Sequence, residues 1–251
     1  MAQDLKISSL ASMREKEARQ HALELFLDNP LPDREKLANT GLFLKRQELT
    51  KILFFNDLYQ KIIEHHGIIM EFGVRWGQNL VTLSNLRGIY EPYNYNRKII
   101  GFDTFRGFVN IDEKDGDDES IQEGAFAVNP GYEDYLTRLM AYHESESPLS
   151  HISKFEVIKG DASKTLKDYL DRHPETLIAF AFFDLDIYKP TRNCLELIRD
   201  HLPKGAILGF DELNDPKFPG ETLAFREVFG IRDLEVRRSS FSAMQSYVIM
   251  D

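Results

Sequence analysis

The sequence predicts an α/β fold with a doubly wound, mostly parallel sheet, and three observations carry that prediction. Short apolar strands alternate with helical segments from residue 68 onward. One strand, LIAFAFFDLD, is almost continuously apolar, as a central parallel strand buried on both faces must be. Acidic residues recur where the strands end. The length of 251 residues, with 42% hydrophobic and 12% aromatic content, supplies a substantial core and excludes a disordered chain.

Taken in order, residues 1–65 read as a helical N-terminal extension, a lid or a dimer contact, and residues 66–251 as the sheet domain. REKEARQHALELFLDNP ends at a proline turn. LKRQELTKILFFNDLYQKIIEHHG spaces apolar residues three and four apart and stops at Gly67. Leu25, Phe26, Phe54 and Phe55 offer this extension a face for a partner subunit, so a homodimer is one expectation. IIMEF (68–72) is the first strand, followed by GVRWG and a helix through about Gly88. KIIGFD (98–103) and KFEVIKGD (154–161) are the second and third, and SKTLKDYLDRH is the helix after them. LIAFAFFDLD (177–186) is the fourth, with Pro190-Thr191 expected to open the helix TRNCLELIRDHL. GAILGFDE (205–212) is the fifth, and GETLAFREVFG the helix that follows. The tail LEVRRSSFSAMQSYVIM reads as an antiparallel strand pair at a sheet edge. With right-handed crossovers this is a Rossmann-like sheet. An insertion at about 104–150 breaks the alternation, with an acidic run expected in solvent and an aromatic part expected as a lid.

Composition removes several functions. A net charge of −10 argues against nucleic acid, which needs clustered Lys and Arg. The single cysteine, Cys194, allows neither an intrachain disulfide nor a multi-cysteine zinc site and is expected as buried filler. The first twenty residues lack an apolar signal core, and no apolar run approaches the ~18–20 residues of a membrane span. A cytoplasmic chain, with neither membrane nor nucleic acid as partner, is the expectation.

In an open α/β sheet, ligands bind beyond the carboxyl ends of the strands. Four features gather there. EFGVRWG places Glu71 beside Gly73 and Gly77 at a helix N-terminus, a carboxylate for an ammonium and free N–H groups for a carboxylate. That pairing suits an amino-acid zwitterion, such as the methionine end of S-adenosylmethionine. Asp103, followed by Thr104, stands where nucleotide-binding folds hold both ribose hydroxyls. Asp161 and Ala162 end the third strand, where a carboxylate takes the adenine amine, and Asp184 ends the fourth. A dinucleotide dehydrogenase is the rival, but GVRWG lacks the G-x-G-x-x-G spacing that brings backbone close to a pyrophosphate.

The sharpest feature is Asp184-Leu185-Asp186 with Asp211-Glu212, carboxylates at the ends of adjacent strands. They repel one another unless a cation sits among them or one is protonated. Oxygen-only ligands point to Mg²⁺, Mn²⁺ or Ca²⁺, with Mg²⁺ preferred and Asp186, Asp211 and Glu212 as its ligands. The competing reading is that Asp186 and Glu212 cap the helices that follow. With a metal on a substrate hydroxyl, Asp184 is the candidate base.

GVRWG, GFDTFRGF, FFDLDIYKPT and GFDELNDPKFPGE resemble the macrocin O-methyltransferase-like group of class I methyltransferases across roughly residues 65–230. The resemblance implies S-adenosylmethionine-dependent methylation of a hydroxyl on a sugar or other small metabolite, in natural-product or polysaccharide pathways. It also implies Asp184 as base, Asp186 as metal ligand, and Asp211 with Glu212 completing the metal site. Leu185 is bulkier than the family's residue between the paired acids, Glu212 replaces a frequent aspartate, and Arg106 stands where an acidic residue is usual. Two other classes remain open from the residues alone. One is a metal-independent N- or carboxyl-methyltransferase on the same fold, the other a non-catalytic nucleotide-binding protein.

Overall fold

The structure, a computed structural model, describes residues 11–251. The first ten residues of the stretch read above for a signal core lie outside the described residues. Among the described residues, no helix is long and apolar enough to cross a membrane.

The extension is helical, as its periodicity predicts. Ser12 and Glu15 form a reciprocal cap that starts α1 (Met13–Leu27), and α2 (Asp33–Ala38) follows. Neither buries a residue, and Leu25 and Phe26 stay exposed. The longer α3 (Arg46–Ile62) behaves differently. Its stripe of Phe54, Phe55, Leu58, Tyr59 and Ile62 is fully buried against the sheet, with the Phe55 ring 4.8 Å from that of Phe182. Phe54 and Phe55 are therefore core residues and are not available to a partner subunit. Each such side chain contributes about 1.5–3 kcal/mol by leaving water. The buried Arg97 guanidinium then donates to the carbonyls of Ile62, His65 and Gly67, satisfying the orphan acceptors where α3 ends.

The sheet follows the expected alternation: β1 (Ile68–Phe72), α4 (Gln78–Tyr90), β2 (Ile99–Asp103), α5 (Tyr132–Ser145), β3 (Phe155–Lys159), α6 (Ala162–Arg172), β4 (Ile178–Phe183), α7 (Tyr188–Ile198), β5 (Ile207–Phe210), α8 (Pro219–Phe229), β6 (Arg237–Arg238) and β7 (Ser246–Ile249). Among the described residues the seven strands run in the order β3-β2-β1-β4-β5-β7-β6. β1 to β5 pair in parallel, whereas β7 runs antiparallel to both β5 and β6. Strand order reverses between β1 and β4, which opens a crevice at their carboxyl ends. β1, β4 and β5 are buried along their whole length, which is why they read as unbroken apolar runs. Cys194 is fully buried on α7.

The insertion between β2 and β3 is folded onto the domain. Glu144 of α5 pairs with Arg87 of α4 at 3.1 Å inside the core and accepts from the backbone of Lys154. The acidic run is only partly in solvent, because Asp115 is completely buried. Its Oδ1 accepts from the Tyr188 amide and so caps α7. This cap explains why α7 begins at Tyr188 rather than at Thr191. The Thr191 hydroxyl instead donates back to the Ile187 carbonyl, inside the helix.

Candidate functional site

A cavity of about 340 Å³ opens at the crevice between β1 and β4. Of the residues singled out in the sequence, Gly73, Asp103, Thr104, Asp161, Ala162, Asp184, Asp186, Asp211 and Glu212 line it. Glu71 and Gly77 stand behind that lining.

At the β1 side the backbone is drawn close. Gly73 has φ +91, and a Cβ there would come within 1.8 Å of the Asp184 carbonyl, so only glycine lets the ends of β1 and β4 meet. Gly77 has φ +79, and a Cβ there would strike the Leu136 side chain of α5 at 2.3 Å. That contact seats the insertion helix over the N-terminus of α4. Glu71 is fully buried, and the Asn79 side chain beside it is the one polar group that reaches its carboxyl, too loosely aligned to satisfy either oxygen. Burial above all pushes its carboxyl well above the usual range. A carboxyl held neutral by burial regains its charge when a cation enters beside it.

Asp103 is held differently. Its Oδ2 accepts from the Arg75 amide at 2.7 Å and its Oδ1 from the Phe105 amide at 2.6 Å. Burial outweighs those bonds and raises its carboxyl, while the two amides fix its orientation toward the cavity. Arg75 and Phe105 adopt positive φ (48 and 55) to present those N–H groups, a conformation costing of order 1–3 kcal/mol each. Asp161 caps α6, accepting from the Ser163 amide at 3.1 Å, and leaves its carboxylate at the cavity edge. Trp76 forms part of the wall, its ring edge-on to Tyr132 with centroids 4.8 Å apart. From the insertion come Phe108 and Phe126, and the Arg75 guanidinium lies over the Phe126 ring at 5.0 Å.

The carboxylates beyond β4 and β5 form the second half. Asp184 directly follows β4, Asp186 takes φ +62 in the loop before α7, and Asp211-Glu212 follow β5. Asp186 does not cap α7, since Asp115 does, and Glu212 is remote in sequence from the start of α8 at Pro219. The capping reading of both residues therefore fails. Burial, then the neighbouring Asp211, pushes the Asp184 carboxyl up to about 6. Burial with Asp184 and Asp211 takes Asp186 up to about 8, and burial with Asp186 and Asp211 takes Glu212 up to about 11. The Asp186 and Glu212 carboxyls hydrogen-bond to each other, which needs a proton between them, and no other donor reaches Asp186 Oδ1 or Glu212 Oε2. The Asp211 carboxylate is engaged, with the Gln245 amide donating to its Oδ1 at 2.7 Å.

Sequence reasoning missed two members of this cluster. Lys51 of α3 reaches into it, with Nζ 3.1 Å from Asp184 Oδ2 and 3.2 Å from Asp211 Oδ1. Burial disfavours its charge, but the two aspartates more than offset this and hold the ammonium well above the ordinary lysine range. Glu221 of α8 is completely buried, its Oε1 accepts from the Glu212 amide at 3.1 Å, and its Oε2 has no partner. A readable signal existed for both. Lys51 precedes Phe54, Phe55 and Leu58 at helical spacing, and Glu221 precedes Ala224 and Phe225 in the same way. A charge on a core-facing stripe demands a buried partner.

No family profile matches the sequence, and no curated protein does. Solved structures do match. The calicheamicin methyltransferase CalS11 superposes with a TM-score of 0.93 at 40% identity, over 99% of this chain and 97% of that one. This chain belongs to the S-adenosylmethionine-dependent O-methyltransferases. An apo structure of CalS11, a TDP-rhamnose 3'-O-methyltransferase in calicheamicin biosynthesis, gives 0.84 at 38% identity over 98% and 99% of the two chains. The O-methyltransferase NovP, at 16% identity and a TM-score of 0.57 over 80% and 79%, shares the fold. Membership bears out the methyltransferase reading over both the dehydrogenase and the non-catalytic one.

The acidic set is oxygen-only, the donor chemistry that a hard divalent cation takes. As placed, however, no three acidic, histidine or cysteine side chains among the described residues surround one point. Asp211, the middle member, is instead bound to Lys51 and Gln245.

Proposed function

We propose that this enzyme methylates a hydroxyl of a sugar, with a nucleotide-linked deoxysugar as the acceptor class, and that Asp186, Asp211 and Glu212 hold a divalent metal for the reaction. The single observation that carries this reading is the cavity itself. One end is lined by Asp103 and Asp161 with Glu71 buried behind it, and the other gathers Asp184, Asp186, Asp211 and Glu212 around the single ammonium of Lys51. The 40%-identical CalS11, which acts on TDP-rhamnose, supports the sugar. An exposed arginine, Arg75, beside the aromatic wall of Phe108 and Phe126 suits a charged, partly apolar acceptor.

In this reading Glu71 takes the ammonium of S-adenosylmethionine, the N–H groups at the start of α4 take its carboxylate, and Asp103 with Thr104 holds the ribose. Asp161 and Ala162 border the adenine. A bound divalent metal would lower the pKa of the acceptor hydroxyl and orient it. Asp184 takes the hydroxyl proton as the oxygen attacks the methyl carbon. The carbon–sulfur electron pair stays on sulfur, so S-adenosylhomocysteine leaves neutral at that atom. Trp76 and the insertion exclude water from this step. Positioning carries much of the rate, because the sulfonium methyl is already activated.

The Lys51 contacts favour one alternative, a metal-independent transfer in which the ammonium alone balances Asp184 and Asp211. One experiment separates the two. A panel of nucleotide-linked deoxysugars is incubated with enzyme and S-adenosylmethionine, with and without a chelator, and products are read by mass. Gain of one methyl on a sugar hydroxyl, abolished by the chelator and restored by Mg²⁺, is the expected result. Full activity in chelator would remove the metal. No sugar methylated across the panel would remove the acceptor class.

A further inference from the structure

Lys51 is the only ammonium that the structure sets between two carboxylates of the site among the described residues, and it comes from α3, outside the strand ends that supply the acids. It is firmly placed. Phe54 and Phe55 behind it are buried against β4, and Arg97 pins the far end of the helix. The lysine stem runs beside the Phe182 ring, with Nζ 5.8 Å from its centroid. On the opposite flank of Asp211, Asp186 and Glu212 hydrogen-bond only to each other, and Glu221 Oε2 is buried with no donor. The cluster is thus balanced by an ammonium on the Asp184 side and has no cation on the Glu212 side.

We propose that Lys51 is a built-in counter-cation of the metal-free enzyme, and that its ammonium and a divalent ion are alternative occupants at Asp211. This inference rests on the metal reading above. Asp211 Oδ1 serves both Lys51 and Gln245, so swinging it toward Asp186 and Glu212 means releasing the lysine. Lys51 would then keep only Asp184, where it shields the base from the neighbouring carboxylates. The ammonium keeps the empty site folded, and the same contact weakens metal binding by competition. A positive charge this near a metal site is worth at least about tenfold in affinity, even at high effective dielectric.

The test is Mn²⁺ titration of the metal-stripped full chain, read by the electron paramagnetic resonance signal of free Mn²⁺ and by calorimetry. Lys51→Met is expected to bind Mn²⁺ at least about tenfold more tightly than wild type. Metal-free Lys51→Met is expected to melt below metal-free wild type, with the gap closing when Mn²⁺ is added. Lys51→Arg supplies the opposite sign and covers failure of the methionine variant to fold. Its guanidinium forks onto both aspartates, so it is expected to bind Mn²⁺ more weakly than wild type. Lys61→Met, farther along α3 where the side chain pairs with Asp57, is expected to leave the affinity within about twofold. Wild type that binds Mn²⁺, with Lys51→Met unchanged or weaker, or Lys51→Arg equal or tighter, would overturn the competition alone. Absence of Mn²⁺ binding in every protein would overturn the metal reading and this inference with it.

Discussion

The carboxylates beyond β1 to β3 and those beyond β4 and β5 face one cavity, yet their surroundings are opposite. Asp103 receives two backbone N–H bonds and Asp161 one, so their positions are fixed before any ligand arrives. Asp186 and Glu212 bond only to each other, Glu221 keeps a buried oxygen with no donor, and the nearest cation, Lys51, serves only Asp184 and Asp211. Glu71 is the exception on the first side, unsatisfied where the ligand ammonium is proposed to sit. The contrast teaches a division of labour. In the function proposed above, preorganised acids would hold a cofactor of constant shape, whereas crowded acids would give up protons to take a cation.

The comparison breaks most sharply at Asp184. Asp184→Asn is expected to lower turnover by about 10²–10⁴-fold while S-adenosylmethionine affinity stays within a few fold. Single-turnover kinetics and calorimetry check the two halves, and loss of cofactor affinity with preserved turnover would reverse the assignment. Chelation comes next, with an expected loss of about a hundredfold or more in turnover and an unchanged cofactor affinity. Asp103→Ala should show the mirror image. Removing a charged acceptor from the ribose hydroxyls is expected to weaken cofactor binding by about 10–100-fold, with turnover at saturating cofactor affected far less.

A smaller effect follows from pH. Asp184 must be ionised to accept a proton, and burial with Asp211 pushes its carboxyl up to about 6. Because the group is raised, the active ionised form is lost as pH falls through that value. kcat/KM is therefore expected to drop about tenfold per pH unit below about 6. A rate that does not fall with acid would place the base elsewhere. The smallest effect concerns the loop that carries Asp186. Asp115→Ala removes the cap of α7 and is expected to lower stability by about 1–2 kcal/mol in denaturant unfolding, the upper part of the range for helix caps because this one is buried. An unchanged midpoint would show that α7 does not depend on the insertion.

Much of this contrast was legible in the sequence. Apolar runs placed β1 to β5 to within three residues, and strand ends placed nine of the eleven singled-out residues on the cavity wall, because register and burial are local consequences of pattern. What escaped depends on contacts made across the fold. Asp115 sits in an acidic run that reads as solvated, and only docking of the insertion buries it beneath α7. Phe54 and Phe55 read as exposed to a partner because nothing local shows that α3 lies on β4. Lys51 and Glu221 were readable as charges on apolar stripes, but their partner, the cluster itself, is far away in sequence.

The central claim is that the two halves join to move a methyl group from sulfur to a sugar oxygen. Incubating the enzyme with S-adenosylmethionine carrying a ¹³C methyl and the proposed nucleotide-linked deoxysugar, and following the label by ¹³C NMR, tests it directly. The label is expected to leave sulfur and appear as an O-methyl carbon coupled to a sugar ring position. A label that stays on sulfur, or that moves to nitrogen or a carboxyl group, would contradict the account.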